Sequence, residues 1–424
     1  AGTLAELTDV QVTDGIAGAN LSEDGRGVAV GEGGALVARQ LSLESNGGIG
    51  MLIFGEGSTA DLADVTIVDT RSVTGDVGGG GLAVQEGATA VATRLEIAHN
   101  RDHGILVTHG SHLELSDSSI RDTQRIVGGT FGRGVIAQGG STLIATDVLI
   151  DGNHDVGLAA LGQDSVVEMT GGAITNTGTA LDVRSGLGAT ADLGGVVRLD
   201  DVELSGNTGP GVYSLEAGVV ELSGCTLADN GLAGAVVLDG ELWVTGGSIT
   251  GSRPHPSEGG GVGVLAWNLV GPPVVDIKGT AFSDLPGPAL YLRGPGRYRM
   301  TDSDVSNSGG WPASPGGVLA TGGTTAWDGT TGLLLQGNRF SELGADAILL
   351  DTSAATLELD PDTTAGQSFS ELQGEPMFVQ RCTGPSTALV LDGSGANPAC
   401  RDSARPLGPL LEFRLQVGEI EPVE

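Results

Sequence analysis

Apolar and polar residues alternate along this chain in short blocks, separated by glycine and by turn-forming residues. One block, LEIAHNRDHGI, has apolar residues at 95, 97 and 105 and an asparagine at 100. The same spacing recurs as Leu41-Leu43-Asn46-Met51, Val148-Ile150-Asn153-Leu158, Val202-Leu204-Asn207-Val212 and Cys225-Leu227-Asn230-Ala235. Alternation with a period of two indicates β-strands, and the fixed spacing indicates an internal repeat.

The apolar position that follows the asparagine can be tracked along the chain. We place it at residues 28, 51, 82, 105, 135, 158, 181, 212, 235, 264, 289, 318, 348 and 378. The number of residues between successive positions is too large for one coil of a hexapeptide β-helix and too small for a propeller blade. The pattern therefore predicts an all-β solenoid of about fourteen coils, with glycine at the bends.

With its L-x-I-x-x-N-x-x-x-G-I coil, the chain resembles the right-handed parallel β-helix proteins of the pectin-lyase-like superfamily over residues 5–380. The resemblance implies that the apolar strand residues point inward, so that Leu41, Leu95, Val148, Val202 and Cys225 stack in one column. It also implies a ladder in which turn asparagines bond to the backbone of neighbouring coils. The predicted ladder residues are Asn46, Asn100, Asn153, Asn207 and Asn230.

We assign residues 1–380 to the β-helix and residues 381–424 to a C-terminal loop and capping strand. A solenoid must cap its terminal coils to prevent end-to-end pairing of strands. Residues 406–424 follow this logic because apolar and charged residues alternate there. The same segment also fits a strand donated to a partner, which would allow assembly through the C-terminus.

Acidic residues outnumber basic ones 53 to 20, and the formal net charge is −33. Such a surface repels phosphate-rich partners, which excludes nucleic acid and anionic membranes. No apolar run reaches the ~18–20 residues of a membrane helix, so we predict no membrane insertion. The sequence shows no metal-spaced His/Cys set. We therefore expect no cofactor and, at most, weak binding of divalent cations by clustered carboxylates.

The chain contains three cysteines, of which Cys382 and Cys400 lie in a segment rich in Gly, Pro and Ser. A bridge between them would stabilise the fold by roughly 3 kcal/mol and indicate an oxidising compartment. Two buried thiols are the alternative. We predict the bridge, a free and buried Cys225, and an extracytoplasmic location: secreted, periplasmic or on the outer cell surface.

Two long coils flank a short turn that carries Arg101, Asp102 and His103. Thr70 and Thr123 take the ladder position in these long coils, and loops 71–81 and 124–134 follow them. We expect the loops to border a groove.

Arg101, Asp102 and His103 are the candidates for a catalytic group at this groove. Arg125 and Asp155 are the candidate binding residues beside them. Adjacent residues in a turn usually diverge, which argues against a catalytic set.

A second groove is predicted between loops 251–261 and 307–317, around the turn DLPGP at 284–288. His255 and Trp311 are its candidate binding residues, because exposed indoles stack on sugar rings. Trp311 folding back over the edge of its own coil is the alternative.

The superfamily includes pectate lyases, galacturonases, alginate lyases and uronan epimerases. Of the motifs of galacturonase-like enzymes, this chain has only the adjacent acids Asp200-Asp201. We therefore predict a secreted or cell-surface rod that acts as a non-catalytic binding or scaffold protein. Its predicted partners are extracellular polysaccharide or a surface protein. The alternative is a uronate lyase, glycoside hydrolase or epimerase with its site near Arg101, Asp102 and His103.

Overall fold

The computed structural model describes most of the first 309 residues and short stretches beyond them. The described ranges are 3–15, 25–72, 78–126, 132–178, 185–255, 259–309, 316–321, 332–343, 348–351, 368–370, 377–380 and 399–401. They divide into two compact units, unit 1 within residues 3–209 and unit 2 within residues 210–401. Within these ranges every regular element is a β-strand, and no helix there is long and apolar enough to cross a membrane.

Unit 1 contains seventeen strands in the described ranges. They are β1 (Leu4–Thr13), β2 (Val28–Val30), β3 (Ala35–Glu44), β4 (Ile49–Phe54), β5 (Thr59–Val68), β6 (Gly80–Gln85), β7 (Thr89–Ala98), β8 (His103–Thr108), β9 (His112–Ser116), β10 (Ser119–Arg121), β11 (Arg133–Gln138), β12 (Thr142–Asp151), β13 (Val156–Leu161), β14 (Val166–Thr175), β15 (Leu187–Asp192), β16 (Val196–Asp200) and β17 (Glu203–Ser205).

Unit 2 contains the remaining described strands. They are β18 (Val212–Leu215), β19 (Val219–Ser223), β20 (Thr226–Ala228), β21 (Ala233–Leu238), β22 (Glu241–Thr245), β23 (Ser248–Thr250), β24 (Pro254–His255), β25 (Gly259–Gly260), β26 (Val262–Trp267), β27 (Val274–Lys278), β28 (Ala281–Ser283), β29 (Leu290–Arg293), β30 (Arg297–Thr301), β31 (Asp304–Ser306), β32 (Val318–Thr321), β33 (Gly332–Gln336), β34 (Arg339–Ser341), β35 (Ile348–Asp351), β36 (Ser368–Ser370), β37 (Met377–Gln380) and β38 (Ala399–Arg401).

In each unit the strands form two parallel sheets, here called sheet A and sheet B. In unit 1, sheet B consists of β2, β4, β6, β8, β11, β13 and β15, and all other strands belong to sheet A. In unit 2, sheet B consists of β18, β21, β26, β29, β32, β35, β37 and β38. Apart from β24 and β25, which form a small antiparallel hairpin, the other strands of unit 2 belong to sheet A. The predicted all-β parallel solenoid is confirmed.

The long strands of sheet A bend in the middle. Arg94 has a φ of 54° within β7, and Asp64 has a φ of 56° at the aligned position of β5. In β7, Ala92 before the bend and Leu95 after it are both buried. Each long strand therefore supplies two sides of a coil, and apolar residues from both sides face the interior.

The predicted coil register is largely confirmed by the strand pairing. In unit 1, positions 28, 51, 82, 105, 135 and 158 pair in succession. Position 181 was wrong, because Leu158 pairs with Ala189, and residue 181 lies outside the described ranges. Sheet B comprises fifteen described strands, slightly more than the fourteen coils predicted.

In unit 2 the tracked position is wrong by one residue at two places. Val264 pairs with Leu290 rather than with Ala289, and Ile348 pairs with Met377 rather than with Phe378. Each site offers two adjacent apolar residues. Hydrophobicity alone therefore does not fix the register there.

The asparagine ladder is confirmed for Asn46, Asn100, Asn153 and Asn207 by their hydrogen bonds to the coil before them. All five predicted asparagines, including Asn230, are fully buried. Asn100 shows the arrangement: its Oδ1 accepts a hydrogen bond from the Thr70 N–H at 2.9 Å, and its Nδ2 donates to the Ile67 carbonyl at 3.0 Å. Asn153 and Asn207 repeat both bonds to the coil before them. Each of these asparagines thus joins two consecutive coils.

The predicted inward column is also buried. Leu41 pairs with Val65, which pairs with Leu95, and all of the predicted members, Leu41, Leu95, Val148, Val202 and Cys225, are at most 3 % exposed. Cys225 is a buried thiol. Cys382 lies outside the described residues, and only the backbone of Cys400 is described, so the bridge stays a prediction. The domain boundary at residue 380 stays one as well.

Candidate functional site

The turn that carries the catalytic candidates connects β7 to β8, and it turns two of the three side chains inward. His103 Nδ1 lies 3.2 Å from Asp102 Oδ2, and the two side chains are only 5 % and 12 % exposed. The imidazole lies over Gly80 of the preceding coil, because a Cβ placed on that glycine would be 2.1 Å from His103 Nε2. The pair is therefore buried in the wall of the solenoid.

Arg101 does not join this pair. Its Nη1 donates to the Arg125 carbonyl at 3.4 Å, whereas the side chains of Asp102 and His103 contact each other. The expectation of three diverging side chains is therefore wrong for Asp102 and His103. His103 Nε2 has no hydrogen-bond partner among the described residues.

Asp155, a candidate binding residue, has a side chain that is largely shielded and forms an ion pair. Arg133, the first residue of β11, pairs in register with His103. Its Nε lies 3.3 Å from Asp155 Oδ2, and the two side chains are 4 % and 13 % exposed. Two opposite charges in a poorly hydrated position neutralise each other. Its carboxylate is thus engaged by Arg133, and Asp155 as a ligand-binding residue stays a prediction.

The second predicted groove is described only in part. The backbone of His255 lies in the β24–β25 hairpin, while its side chain and the whole of Trp311 lie outside the described residues. In the turn between them, Leu285 is 2 % exposed. His255 and Trp311 as ligand-binding residues stay a prediction.

Many acidic side chains occur at coil corners, a feature that the sequence did not reveal. Fourteen of the 28 described non-glycine residues with positive φ are aspartates. Asp and Asn tolerate the left-handed conformation better than other residues with a side chain. Part of the acid excess therefore reflects a backbone requirement of the bends rather than a cation-binding function. The described residues contain no group of three or more His, Cys, Asp or Glu arranged to hold a metal ion.

The solvent-facing side of sheet A in unit 1 is ordered in rows. Thr93, Ser116, Thr146 and Thr170 occupy one aligned row across four consecutive coils, and the Thr93 and Ser116 hydroxyl oxygens lie 3.1 Å apart. A parallel row contains Val91, Glu114 and Ile144. Val91 is 41 % and Ile144 is 38 % exposed. The face thus combines hydroxyl groups with exposed apolar side chains.

Arginines on or beside this face are paired with acids of neighbouring coils. The shortest N–O distances are 2.6 Å for Arg39 with Asp61, 2.6 Å for Arg94 with Asp64 and 2.9 Å for Arg198 with Glu168. The Arg94 hydrogen bond lowers the pKa of Asp64, and the carboxylate raises the pKa of the guanidinium in turn. The positive charges of these three arginines are therefore already paired with carboxylates, although the protein as a whole is very acidic.

Residues 5–174 match the family model described as the right handed beta helix region. Over these residues the chain is similar to right-handed β-helix proteins. Over 246 residues, the chain is 26 % identical to a protein of Escherichia coli (strain K12) named "Probable autotransporter YcgV". The match covers 51 % of this chain and 25 % of that relative, so the chain spans about a quarter of the relative's length.

Proposed function

We propose that this β-helix protein acts outside the cytoplasm and binds an extended, uncharged glycan across sheet A of unit 1 without chemical turnover. Similarity to a protein named as a probable autotransporter supports the location. The predicted cysteine bridge agrees with the same oxidising environment.

The row of Thr93, Ser116, Thr146 and Thr170 is the observation that carries this proposal. Parallel strands repeat every 4.7–4.9 Å, so a chain lying across them meets equivalent hydroxyl groups at each coil. A glycan is a repeating polymer with hydroxyl groups that donate and accept hydrogen bonds. The neighbouring exposed Val91 and Ile144 provide apolar contact for the faces of the sugar rings.

The charge of the surface favours a neutral ligand over a polyuronate. The net charge is −33, and the arginines Arg39, Arg94 and Arg198 are each held by an acid. Binding a polyanion would require breaking such pairs, while long-range repulsion would slow association. Binding of a neutral glycan leaves these pairs intact.

A glycan array that contains neutral glucans and polyuronates tests the proposal with the parent and with Thr146→Glu/Thr170→Glu. Both threonines are exposed, so the substitutions change the face without disturbing the core. We expect the parent to bind neutral glycans, and the double variant to bind about tenfold more weakly.

Val270→Glu is the matched control, because Val270 is 94 % exposed in unit 2. It adds the same side chain to the surface and is expected to leave binding unchanged. Preference for polyuronates, or equal binding by parent and double variant, would contradict the proposed ligand and surface.

The enzyme alternative rests on one observation, the contact between Asp102 and His103. An aspartate that orients an imidazole is how many enzymes prepare a general base. Against this, the His103 side chain is 5 % exposed, which leaves no access for a polymer in the described structure. Unsaturated uronate products formed by the parent and lost in His103→Ala would establish a lyase.

A further inference from the structure

Three neighbouring strands of sheet A in unit 1, β7, β9 and β12, present their solvent-facing side chains as a three-by-three array. β9 lies in the middle and pairs in register with both of the others. The outward positions are Thr89, Val91 and Thr93 in β7, His112, Glu114 and Ser116 in β9, and Thr142, Ile144 and Thr146 in β12. The centre of the array is therefore the Glu114 carboxylate, with an apolar side chain on each neighbouring strand and a threonine at every corner.

Glu114 differs from the other acids of its row. The row crosses five paired strands and consists of Asp61, Val91, Glu114, Ile144 and Glu168. Arg39 donates a hydrogen bond to Asp61 at 2.6 Å. Arg198 donates one to Glu168 at 2.9 Å. Glu114 has no arginine partner among the described residues, and its side chain is 56 % exposed. Of these three acids, Glu114 is therefore the one whose carboxylate is open to a ligand.

His112 orients this carboxylate. The two side chains lie two residues apart in β9, which places them on the same face of the strand. The imidazole Nε2 lies 3.3 Å from Glu114 Oε1. An ionised carboxylate only accepts hydrogen bonds, so the imidazole nitrogen is the donor in this contact. The contact restrains the carboxylate and leaves the lone pairs of Oε2 for a ligand.

The chemistry of the array favours a particular arrangement of hydroxyl groups on a sugar ring. A carboxylate accepts two hydrogen bonds side by side, and two hydroxyl groups on adjacent ring carbons supply such a pair of donors. A ring without this pair would displace water from the carboxylate without replacing its hydrogen bonds, which weakens binding. An anionic sugar would be repelled by the Glu114 charge itself. The flanking Val91 and Ile144 contact the apolar faces of the rings.

We propose that Glu114 is the specificity-determining residue of this face and that it selects neutral glycans whose rings keep two adjacent free hydroxyl groups. A 1,4-linked glucan keeps the hydroxyl groups at carbons 2 and 3 of each ring. A 1,3-linked glucan uses the hydroxyl group at carbon 3 for the linkage and thereby loses the pair. His112 acts as a positioning residue for the carboxylate. This inference rests on the proposed glycan-binding function and names its ligand class.

Calorimetric titration of the full chain with β-1,4-linked and β-1,3-linked glucose hexamers tests the selection. The two probes have the same composition and no charge, and they differ in whether the hydroxyl pair is present. We expect the parent to bind the 1,4-linked hexamer about tenfold more tightly. Glu114→Gln keeps the shape of the side chain but replaces one acceptor with a donor, so it should abolish this preference.

Glu168→Gln is the matched control, because Glu168 lies in the same row but is bonded to Arg198. It should keep the preference of the parent. Equal binding of both hexamers by the parent, or an unchanged preference in Glu114→Gln, would overturn this inference and leave the glycan-binding function standing. Failure of the parent to bind either hexamer would overturn the glycan-binding function and this inference with it.

Two substitutions at His112 test the positioning role. His112→Gln keeps an N–H donor near the carboxylate and should retain the preference for the 1,4-linked hexamer. His112→Leu removes the donor and should reduce the preference about threefold. Melting temperatures equal to that of the parent would exclude a folding defect in either variant. A parent-like preference in His112→Leu would show that the imidazole does not position Glu114.

Discussion

Sheets A and B of unit 1 are built from the same coils but treat their outer faces differently. Along most of β7, buried residues alternate with exposed or partly buried ones. Ile97 is fully buried, whereas Val91 is 41 % exposed. In β8, every residue is buried. The neighbours Ile105 and Leu106 point to opposite faces of the sheet, yet they are only 0 % and 7 % exposed. The outer face of sheet A is exposed to solvent, whereas sheet B is buried on both faces.

The difference shows how one repeat serves two purposes. The outer face of sheet A presents ordered rows of hydroxyl groups to solvent. The apolar outer face of sheet B is used for packing, as in sheets that are buried on both faces. Function is therefore better sought on sheet A than in the wall where Asp102 and His103 are buried.

The largest effect is expected from a charge placed inside the coil. Ile97 is 0 % exposed, so Ile97→Asp buries an unpaired carboxylate and should lower the free energy of unfolding by about 4 kcal/mol or more. Urea denaturation measures this. Val91→Asp, on the solvent side of the same strand, should change stability by less than about 0.5 kcal/mol. Similar midpoints for Ile97→Asp and the parent would show that the register is wrong.

A charge on the outer face of sheet B decides whether the two sheets differ as described. Ile136 lies in the outer row of unit 1 and is 0 % exposed. We expect Ile136→Asp to cost about 3 kcal/mol, much closer to Ile97→Asp than to Val91→Asp. Thermal unfolding of the three variants gives the ranking. A mild effect, comparable with that of Val91→Asp, would mean that this face is hydrated.

The ladder is expected to give a smaller effect that depends on which ladder residue is changed. Asn100→Ala leaves the buried Thr70 N–H and Ile67 carbonyl without their side-chain partner, at a cost of about 2 kcal/mol. Thr123→Val is the matched change, because the Thr123 Oγ1 is buried without a hydrogen-bond partner among the described residues. It should be neutral or slightly stabilising. If chemical denaturation gave the same loss of unfolding free energy for Asn100→Ala and Thr123→Val, the ladder would be contradicted.

The repeat could be predicted from sequence because its signals are local. The asparagine and the apolar residues of a coil lie within eleven positions of one another, and turn chemistry links them. The predicted register was wrong where either of two adjacent apolar residues could occupy the inward position, as at Ala289 and Leu290. It was also wrong at Ala189, which follows a long connection. Local hydrophobicity does not distinguish such alternatives.

The site could not be predicted to the same extent, because its geometry depends on contacts between coils. The burial of His103 requires the missing side chain of Gly80, 23 residues earlier. The ion pair of Asp155 depends on Arg133, 22 residues earlier. Neither separation belongs to a motif within one coil. The continuous apolar stretch ILV at 105–107, however, was a readable sign that sheet B is buried on both faces.

The smallest effect concerns the exposed ion pairs of sheet A. The hydrogen bond from Arg94 holds the pKa of Asp64 below its ordinary value. A lowered pKa in the folded state favours folding above the pKa of the unfolded chain, and this contribution is lost as the pH falls through the folded value. Arg94→Gln should therefore raise the pKa of Asp64 while leaving the melting temperature almost unchanged, because exposed pairs are heavily screened. Carboxyl NMR titration measures the shift.

Arg39→Gln should move the same pKa less, since Arg39 acts on Asp64 only through a smaller charge interaction. Arg339→Gln, whose arginine pairs with Asp304 instead, should leave Asp64 unaffected. An unchanged Asp64 titration in Arg94→Gln would show that this pair does not persist in solution and that the arginine is available to an acidic ligand.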